Sequence, residues 1–408
     1  VRNEIPFNRP RLVGNEHAYI DQALMSGKLS GNGPFARRCA EDLERRLDAT
    51  RVLITPSCTA ALEMAGILAN LGPGDEVIVP TFTFVSAANA IALWGAVPVF
   101  VDSRPDTLNV DPSAVARAIT PRTKAIIVVH YGGVACEMEQ LRALADEHGL
   151  TLIEDAAHSL PGMWNGRPLG SIGHLSTFSF HETKNVHCGE GGALAINDPE
   201  MVARAEIVQE KGTDRSRFFR GEVDKYTWQD IGSSYLLSEV CAAFLWAQLE
   251  QLEEITDERR AVWSRYHEAF EPLEEAGILR RPVVPDGCEH SGHLYYLLMR
   301  TEAERDEMIA RLGEDGVRSV FHYVPLHDSP AGSRFGRVSG SMSVAESASS
   351  RLLRLPLWSG IEEEAVDRVI DSTISHGWEI GGSGRRDVHS ERMNGDGSKE
   401  LAARRHSA

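Results

Sequence analysis

Leu150-Thr-Leu-Ile-Glu-Asp155-Ala-Ala-His158 is followed, after a Gly-rich turn, by His174-Leu-Ser-Thr-Phe-Ser179-Phe-His-Glu-Thr-Lys184-Asn185 and then by Gly189-Glu-Gly-Gly192. The apolar runs Leu150 to Ile153 and Leu175 to Phe180 have the length and composition of buried strands, and each leads into one ionisable residue beside a turn. Those residues are Asp155 and Lys184. In an open α/β sheet, ligands collect outside the carboxyl ends of the strands, so a carboxylate and an amine at two such ends can face one ligand. A loop lysine is ordinarily just exposed. Lys184, however, directly follows a strand and precedes three glycines, which suits a chain passing close to a bound group. An amine there can form a Schiff base with an aldehyde cofactor, and a carboxylate opposite can hold a pyridine nitrogen protonated.

Upstream, Arg51 to Thr55 reads as the first core strand and Thr59 to Leu71 as an apolar helix opened by Pro56-Ser-Cys-Thr59. Ser57 is a natural helix cap, and the free N–H groups of a helix start can receive a phosphate. The turn carries neither a Walker lysine nor G-x-G-x-x-G, which argues against a nucleotide loop and a dinucleotide-binding oxidoreductase. Strand-like runs beginning at Arg51, Val77, Val97, Ala125, Leu150, Leu175 and Ala193 alternate with helical segments such as Phe35 to Leu47, Asp111 to Ile119 and Glu137 to His148. That alternation predicts a mostly parallel seven-stranded α/β sheet. Residues 1–35 read as a loop-rich lead-in. A long helical pattern from Leu236 to about Leu273 should join this large domain, residues 1–250, to a smaller α+β domain, residues 251–380. Residues 381–408, rich in glycine and mixed charge, read as a disordered tail.

A chain of 408 residues exceeds one ordinary core, consistent with two lobes. The formal charge, 42 − 59 = −17, with no basic run outside the tail, excludes nucleic acid and anionic membrane surfaces as expected partners. The six cysteines are scattered without C-x-x-C, which argues against a disulfide framework and fits a reducing cytoplasm. No run reaches membrane-helix length. His181, Glu182, His187 and Cys188, like His322 and His327, match no standard metal spacing, so no metal is expected.

Glu154-Asp-Ala-Ala-His158, Phe178-Ser-Phe-His-Glu-Thr-Lys-Asn185 and Gly189-Glu-Gly-Gly192 resemble the sugar-nucleotide aminotransferases of the DegT/DnrJ/EryC family, over roughly residues 5 to 375. The resemblance implies a fold type I, pyridoxal 5'-phosphate-dependent transferase. The cofactor would be held as an internal aldimine with Lys184 and would pass through pyridoxamine phosphate. It further implies that Asp155 meets the pyridine nitrogen, that Ser57, Cys58, Thr59 and Ser179 meet the phosphate, that Phe84 stacks on the ring, and that His158 lies near the phenolic oxygen. From sequence alone, without the resemblance, Phe84 reads as a core phenylalanine.

Glu210-Lys-Gly-Thr213, Val223-Asp-Lys-Tyr-Thr-Trp228 and Phe321-His-Tyr-Val-Pro-Leu-His327 resemble most closely the members that aminate C4 of a dTDP-linked 4-keto-6-deoxy sugar with L-glutamate. Lys211, Tyr226, His322, Tyr323 and His327 are the substrate-contact candidates. The family is expected to be homodimeric, with its active site at the subunit interface. Most members carry an asparagine, where Ser234 stands here, that reaches the neighbour's phosphate. The alternatives are a 3-keto sugar aminotransferase and a catalytically silent partner of a glycosyltransferase; the presence of Lys184 and Asp155 argues against the second.

Overall fold

The computed structural model describes residues 4–400, with side chains described as far as residue 382. Seven strands form where the apolar runs predict them: β1 (Arg51–Thr55), β2 (Glu76–Pro80), β3 (Val97–Val101), β4 (Thr123–Val129), β5 (Thr151–Asp155), β6 (Leu175–Ser179) and β7 (Gly192–Ile196). They lie in the order β1-β7-β6-β5-β4-β2-β3. β3, β2, β4, β5 and β6 are parallel, whereas β7 runs against both of its neighbours.

Both faces of the sheet are covered, and alternate side chains serve opposite layers. Val77, Val79 and Ile127 pack with Ala61, Met64 and Ala65 of helix Cys58–Leu68. Ile78, Ile126 and Val128 pack with Val115 and Leu141 of helices Pro112–Ala118 and Met138–His148. Dual burial explains why these strands are continuous apolar runs.

An eighth strand, Arg337–Val338, joins β3 in parallel. A two-residue Arg-Val segment is too short to carry a strand signal, and an ion pair stands beside it. Arg337 donates Nε and Nη2 to the two oxygens of buried Glu76, at 3.0 and 2.7 Å. Thr120 and Arg122 complete the shell around that carboxylate.

The second sheet is antiparallel, with Tyr295–Met299 between Leu279–Arg280 and Leu352–Leu355. On one face Leu297, Met299, Leu353 and Leu355 pack against Tyr266, Phe270, Met308 and Val369. From the other face Tyr296, Leu298 and Leu352 meet Phe82, Leu108 and Tyr131 of the large lobe. Ile5, near the start of the chain, lies in the second lobe's core and bonds across to Gly316 and Arg318.

Two expectations differ from the fold. The lead-in contains helix Glu16–Met25, which has no side-chain cap to announce it. The long joining helix is three helices, Glu239–Leu249, Leu252–Ala269 and Glu271–Glu275, broken at Glu250–Gln251 and at Phe270 before Pro272. The last helix starts at Glu363 and is packed as far as Ile380, which is buried. Of the tail expected over 381–408, side chains are described only for 381 and 382, and 401–408 lie outside the described residues.

The ion pair makes a testable claim. Hydrogen bonds from Arg337, reinforced by Thr120 and Arg122, hold the Glu76 carboxyl at about 2 instead of 4.5. Because the folded value is depressed, the stabilisation is full above pH 4.5 and is lost as pH falls toward 2. Glu76→Gln should cost about 1–3 kcal/mol at pH 7 and flatten the stability loss across that window. Urea midpoints measured from pH 7 to pH 3 check it; parallel curves for the two proteins would refute it.

Candidate active site

The carboxyl ends of β1, β2, β4, β5 and β6 surround one cavity of about 590 Å³, closed on the opposite side by the second lobe. β1 delivers the turn Ser57–Thr59. Ser57 Oγ accepts the Ala60 N–H at 3.1 Å and so caps helix Cys58–Leu68. The preceding N–H groups of that helix have no intrahelical partner. Gly192, the first residue of β7, lies so close that a Cβ would overlap backbone atoms of Ser57 and Cys58. This is a contact only glycine permits.

β5 delivers Asp155, 7% exposed, whose Oδ1 accepts the Ala157 N–H at 3.1 Å. The neighbouring Glu154 is fully buried and accepts the amides of Gly170 and Ile172 at 2.9 and 2.8 Å, along with His130 Nε2 at 2.9 Å. With Glu154 fastened in this way, the end of β5 cannot turn Asp155 away. β6 delivers Ser179 and, one tight turn later, Lys184.

Burial raises the Asp155 carboxyl above its usual range, an effect that Lys184 partly offsets. Burial also lowers the Lys184 amine from 10.5 to about 8, against the pull of Cys58 and Asp155, and the Arg354 charge adds to the lowering. His158, His293 and His322 are held well below the usual imidazole value by burial and by these nearby cations. The cavity is therefore lined by neutral imidazoles around a readily deprotonated amine.

Ser57, Cys58, Thr59, Phe84, Asp155, His158, Ser179, Lys184, His322 and Tyr323 all line the cavity. Phe84 stands at its mouth, 58% exposed and 6.4 Å from the Tyr323 ring. His322 stacks on Tyr323 at 3.7 Å, and its Nδ1 lies 2.7 Å from the Tyr131 hydroxyl. Lys211, Tyr226, Ser234 and His327 do not line this cavity. Lys211 lies 3.9 Å from Glu210, Tyr226 packs on Phe218, and Ser234 bridges to Glu210. His327 Nδ1 lies 2.8 Å from the Thr81 hydroxyl, and its other face meets Asp328 and Glu346.

Sequence reasoning missed Arg354 and His293, both from the second lobe. Arg354 sits on strand Leu352–Leu355 over the Phe7 ring at 4.7 Å. Its side-chain hydrogen bonds go to the Phe321 carbonyl at 3.1 and 3.3 Å, and among the described residues no carboxylate pairs with it. Only the spacing of arginine within an apolar run, Leu-Leu-Arg354-Leu-Pro, could have flagged it.

The donor set suits pyridoxal phosphate: an amine for its aldehyde, a carboxylate for its ring nitrogen, and a serine-capped helix start with close glycine backbone for its phosphate. Only the neutral amine is nucleophilic. Capture of pyridoxal phosphate by the apoprotein should therefore accelerate with pH and level off above about 8, and Lys184→Arg should abolish it. Stopped-flow absorbance decides; a midpoint near 10.5 would mean a solvated amine.

The matched family and relatives agree with this chemistry. The model of the DegT/DnrJ/EryC1/StrS aminotransferase family matches residues 10–373. The spore coat polysaccharide biosynthesis protein SpsC of Bacillus subtilis (strain 168) is 34% identical over 376 residues, covering 90% of this chain and 96% of that protein. The crystal structure of the aminotransferase TlmJ from Streptoalloteichus hindustanus superposes with a TM-score of 0.84 at 33% identity, over 92% of this chain and 99% of that one. Spr1654 from Streptococcus pneumoniae, in its PMP-form, gives a TM-score of 0.85 at 26% identity over 92% and 100%. Among the described residues no helix is long and apolar enough to cross a membrane. The chain thus belongs to the DegT/DnrJ/EryC1/StrS aminotransferase family and is a pyridoxal phosphate-dependent enzyme of the sugar aminotransferase kind.

Proposed function

We propose that the protein transfers the amino group of L-glutamate to C4 of dTDP-4-keto-6-deoxy-D-glucose, giving a dTDP-4-amino-4,6-dideoxy sugar and 2-oxoglutarate. The observation that carries this reading is the convergence of Lys184 and Asp155 in one cavity that also holds Arg354, which among the described residues pairs with no carboxylate. The close match of Phe180-His-Glu-Thr-Lys184 and Phe321-His-Tyr-Val-Pro-Leu-His327 to 4-aminating members supports the substrate.

Bound pyridoxal phosphate supplies an electron sink for the charge that develops at the donor α-carbon. Asp155, fixed at the end of β5, keeps a ring nitrogen protonated. Ser57, Cys58, Thr59 and Ser179 would hold the phosphate, and Phe84 would cover the ring. Lys184, with its amine near 8, removes the proton from the donor α-carbon in one half-reaction and delivers a proton to sugar C4 in the other. His158 accepts the Gly132 N–H on Nδ1 at 3.3 Å, which leaves Nε2–H as its donor, 3.5 Å from the Tyr323 hydroxyl at the cavity wall and suited to a phenolic oxygen there. Arg354 is the cation suited to a donor carboxylate.

A cytoplasmic homodimer completes the proposal. Lys211, Tyr226 and Ser234 stand away from this chain's own cavity, in a region that exposes Phe219 at 68%, Trp228 at 80% and Ile231 at 58%. A neighbouring subunit would cover that surface and receive those residues. The six cysteines, all free, fit a reducing compartment.

Two measurements test the reading. Incubation with pyridoxal phosphate, L-glutamate and dTDP-4-keto-6-deoxyglucose should yield an amino sugar whose H3–H4 coupling gives the configuration at C4, and Asp155→Asn should slow both half-reactions by at least about 100-fold. Absence of product, or near-normal turnover in the variant, would sink the assignment. Arg354→Gln should raise the apparent KM for L-glutamate roughly 10- to 100-fold and leave the sugar half-reaction unchanged. A rise confined to the sugar nucleotide would reassign Arg354 to the diphosphate.

A further inference from the structure

The segment between Cys288–Glu289 and strand Tyr295–Met299 enters the cavity wall from the second lobe and fastens two active-site turns at once. Ser291 Oγ donates to the His158 carbonyl, and Gly133 packs so closely on Ser291 that a Cβ there would overlap its hydroxyl. Asn185, the neighbour of Lys184, is buried and gives its Nδ2 to the Ser291 carbonyl at 2.8 Å. That bond orients the Asn185 amide, so Oδ1 must be the acceptor toward His293 Nδ1 at 3.1 Å. His293 is therefore the Nδ1–H tautomer, with its ring stacked on His158 at 4.2 Å and 21°.

The two imidazoles carry complementary hydrogen positions. His158 accepts on Nδ1 from Gly132, whereas His293 donates on Nδ1 to Asn185. His158 must be neutral to accept on Nδ1, and burial, with Lys184 and Arg354 nearby, favours the neutral state of both rings. The segment itself is pinned from behind. Arg259, 3% exposed, donates to the carbonyls of Gly292 at 3.1 Å and His293 at 2.5 Å, and Arg260 donates to His290 at 2.7 Å.

We propose that His293 is a positioning residue for amine transfer: its Nδ1–H holds the Lys184 loop through Asn185, while its ring face holds the His158 imidazole, so that amine and imidazole keep one register. The proposal rests on the reading of Lys184 as the proton-transferring amine. The ring acts through its two neighbours, and a small displacement of a reacting group is enough to slow chemistry by about 100-fold.

Two substitutions separate the contacts, each in the enzyme loaded with pyridoxal phosphate. His293→Phe keeps an aromatic face and loses the hydrogen bond to Asn185; His293→Asn keeps a donor near the place of Nδ1 and loses the ring. In His293→Phe the pH midpoint of the bound cofactor's absorbance should move by about half a unit or more, because the Lys184 loop is released. The half-reaction with L-glutamate should slow about 10- to 100-fold at unchanged apparent donor affinity. His293→Asn should recover most of the rate and bring the midpoint back toward that of the wild type. If phenylalanine prevents folding, Asn185→Asp keeps an acceptor for His293 Nδ1–H and loses the donor to Ser291, whereas Asn185→Ala loses both; a midpoint shift in Asn185→Ala that Asn185→Asp does not show carries the same expectation.

A wild-type midpoint and rate in His293→Phe would overturn the proposal. So would losses in both variants that only track lost cofactor, with the loaded fraction titrating normally. The midpoint needs no donor, so it tests the clamp even if wild-type protein fails to react with glutamate, an outcome that would count against the substrate reading alone.

Discussion

No side chain fits between Gly192 and the turn that opens helix Cys58–Leu68, and the arrangement of the cavity follows from that contact. β7 runs against its neighbours, so its first residue, not its last, lies at the carboxyl edge of the sheet, paired with Thr55 of β1 and Ser179 of β6. A parallel β7 would bring Ile196 to that edge instead. The reversal lets the Lys184 loop return over a short path through Gly189 and Gly191 while β1 still presents a helix N-terminus beside it. The helix start and the amine are thus brought together by one antiparallel strand and one missing Cβ.

Charge follows the same local logic. The whole chain is strongly acidic, yet the cavity wall holds Lys184, Arg259 and Arg354 against Asp155 and the outer Glu190. Arg259 spends its donors on backbone carbonyls, which leaves Arg354 as the cation nearest to having a free valence. Buried charges persist only where partners or ligands repay their desolvation. An excess of cation in a cavity of an anionic protein points to anionic ligands that carry their own balance into the site. Net charge therefore spoke to partners such as nucleic acid, and said nothing about the interior of the site.

The sheet was legible because its strands are buried on both faces, which makes each a short apolar run between turn residues; observed starts at Glu76, Thr123, Thr151 and Gly192 lie within two residues of the predicted ones. Arg337–Val338 was not legible, since two residues are too short a run to read as a strand and become one only beside β3, next to Glu76. Helix Glu16–Met25 was hidden for a related reason: its burial depends on distant helices and its first turn has no side-chain N-cap bond. Asp155 and Lys184 could be read because the chain itself marks strand ends. Arg354 and His293 could not, because their roles depend on a second lobe folding back over residues more than a hundred positions away. Lys211, Tyr226, Ser234 and His327 were chosen by resemblance, and within one chain the geometry brings none of them to the cavity wall.

That second lobe does more than close the cavity. One face of its sheet makes its own core, and the other places Tyr296, Leu298 and Leu352 against Phe82, Leu108 and Tyr131 of the large lobe. This apolar seam fixes the distance between strand Leu352–Leu355, which carries Arg354, and β5, which carries Asp155. Hydrogen bonds alone would be a poor gauge of that distance, since Arg354 reaches only a carbonyl of its own lobe. Dispersion contacts between close-packed rings are short-ranged and stiff, so a seam of this kind resists sliding where a lone polar link would pivot. Tyr131 joins the two roles: its ring belongs to the seam, and its hydroxyl holds His322 at the cavity wall. The placement of the reactive groups is therefore set by packing between two cores, with the polar network of Ser291, His293 and Asn185 acting as the fine adjustment.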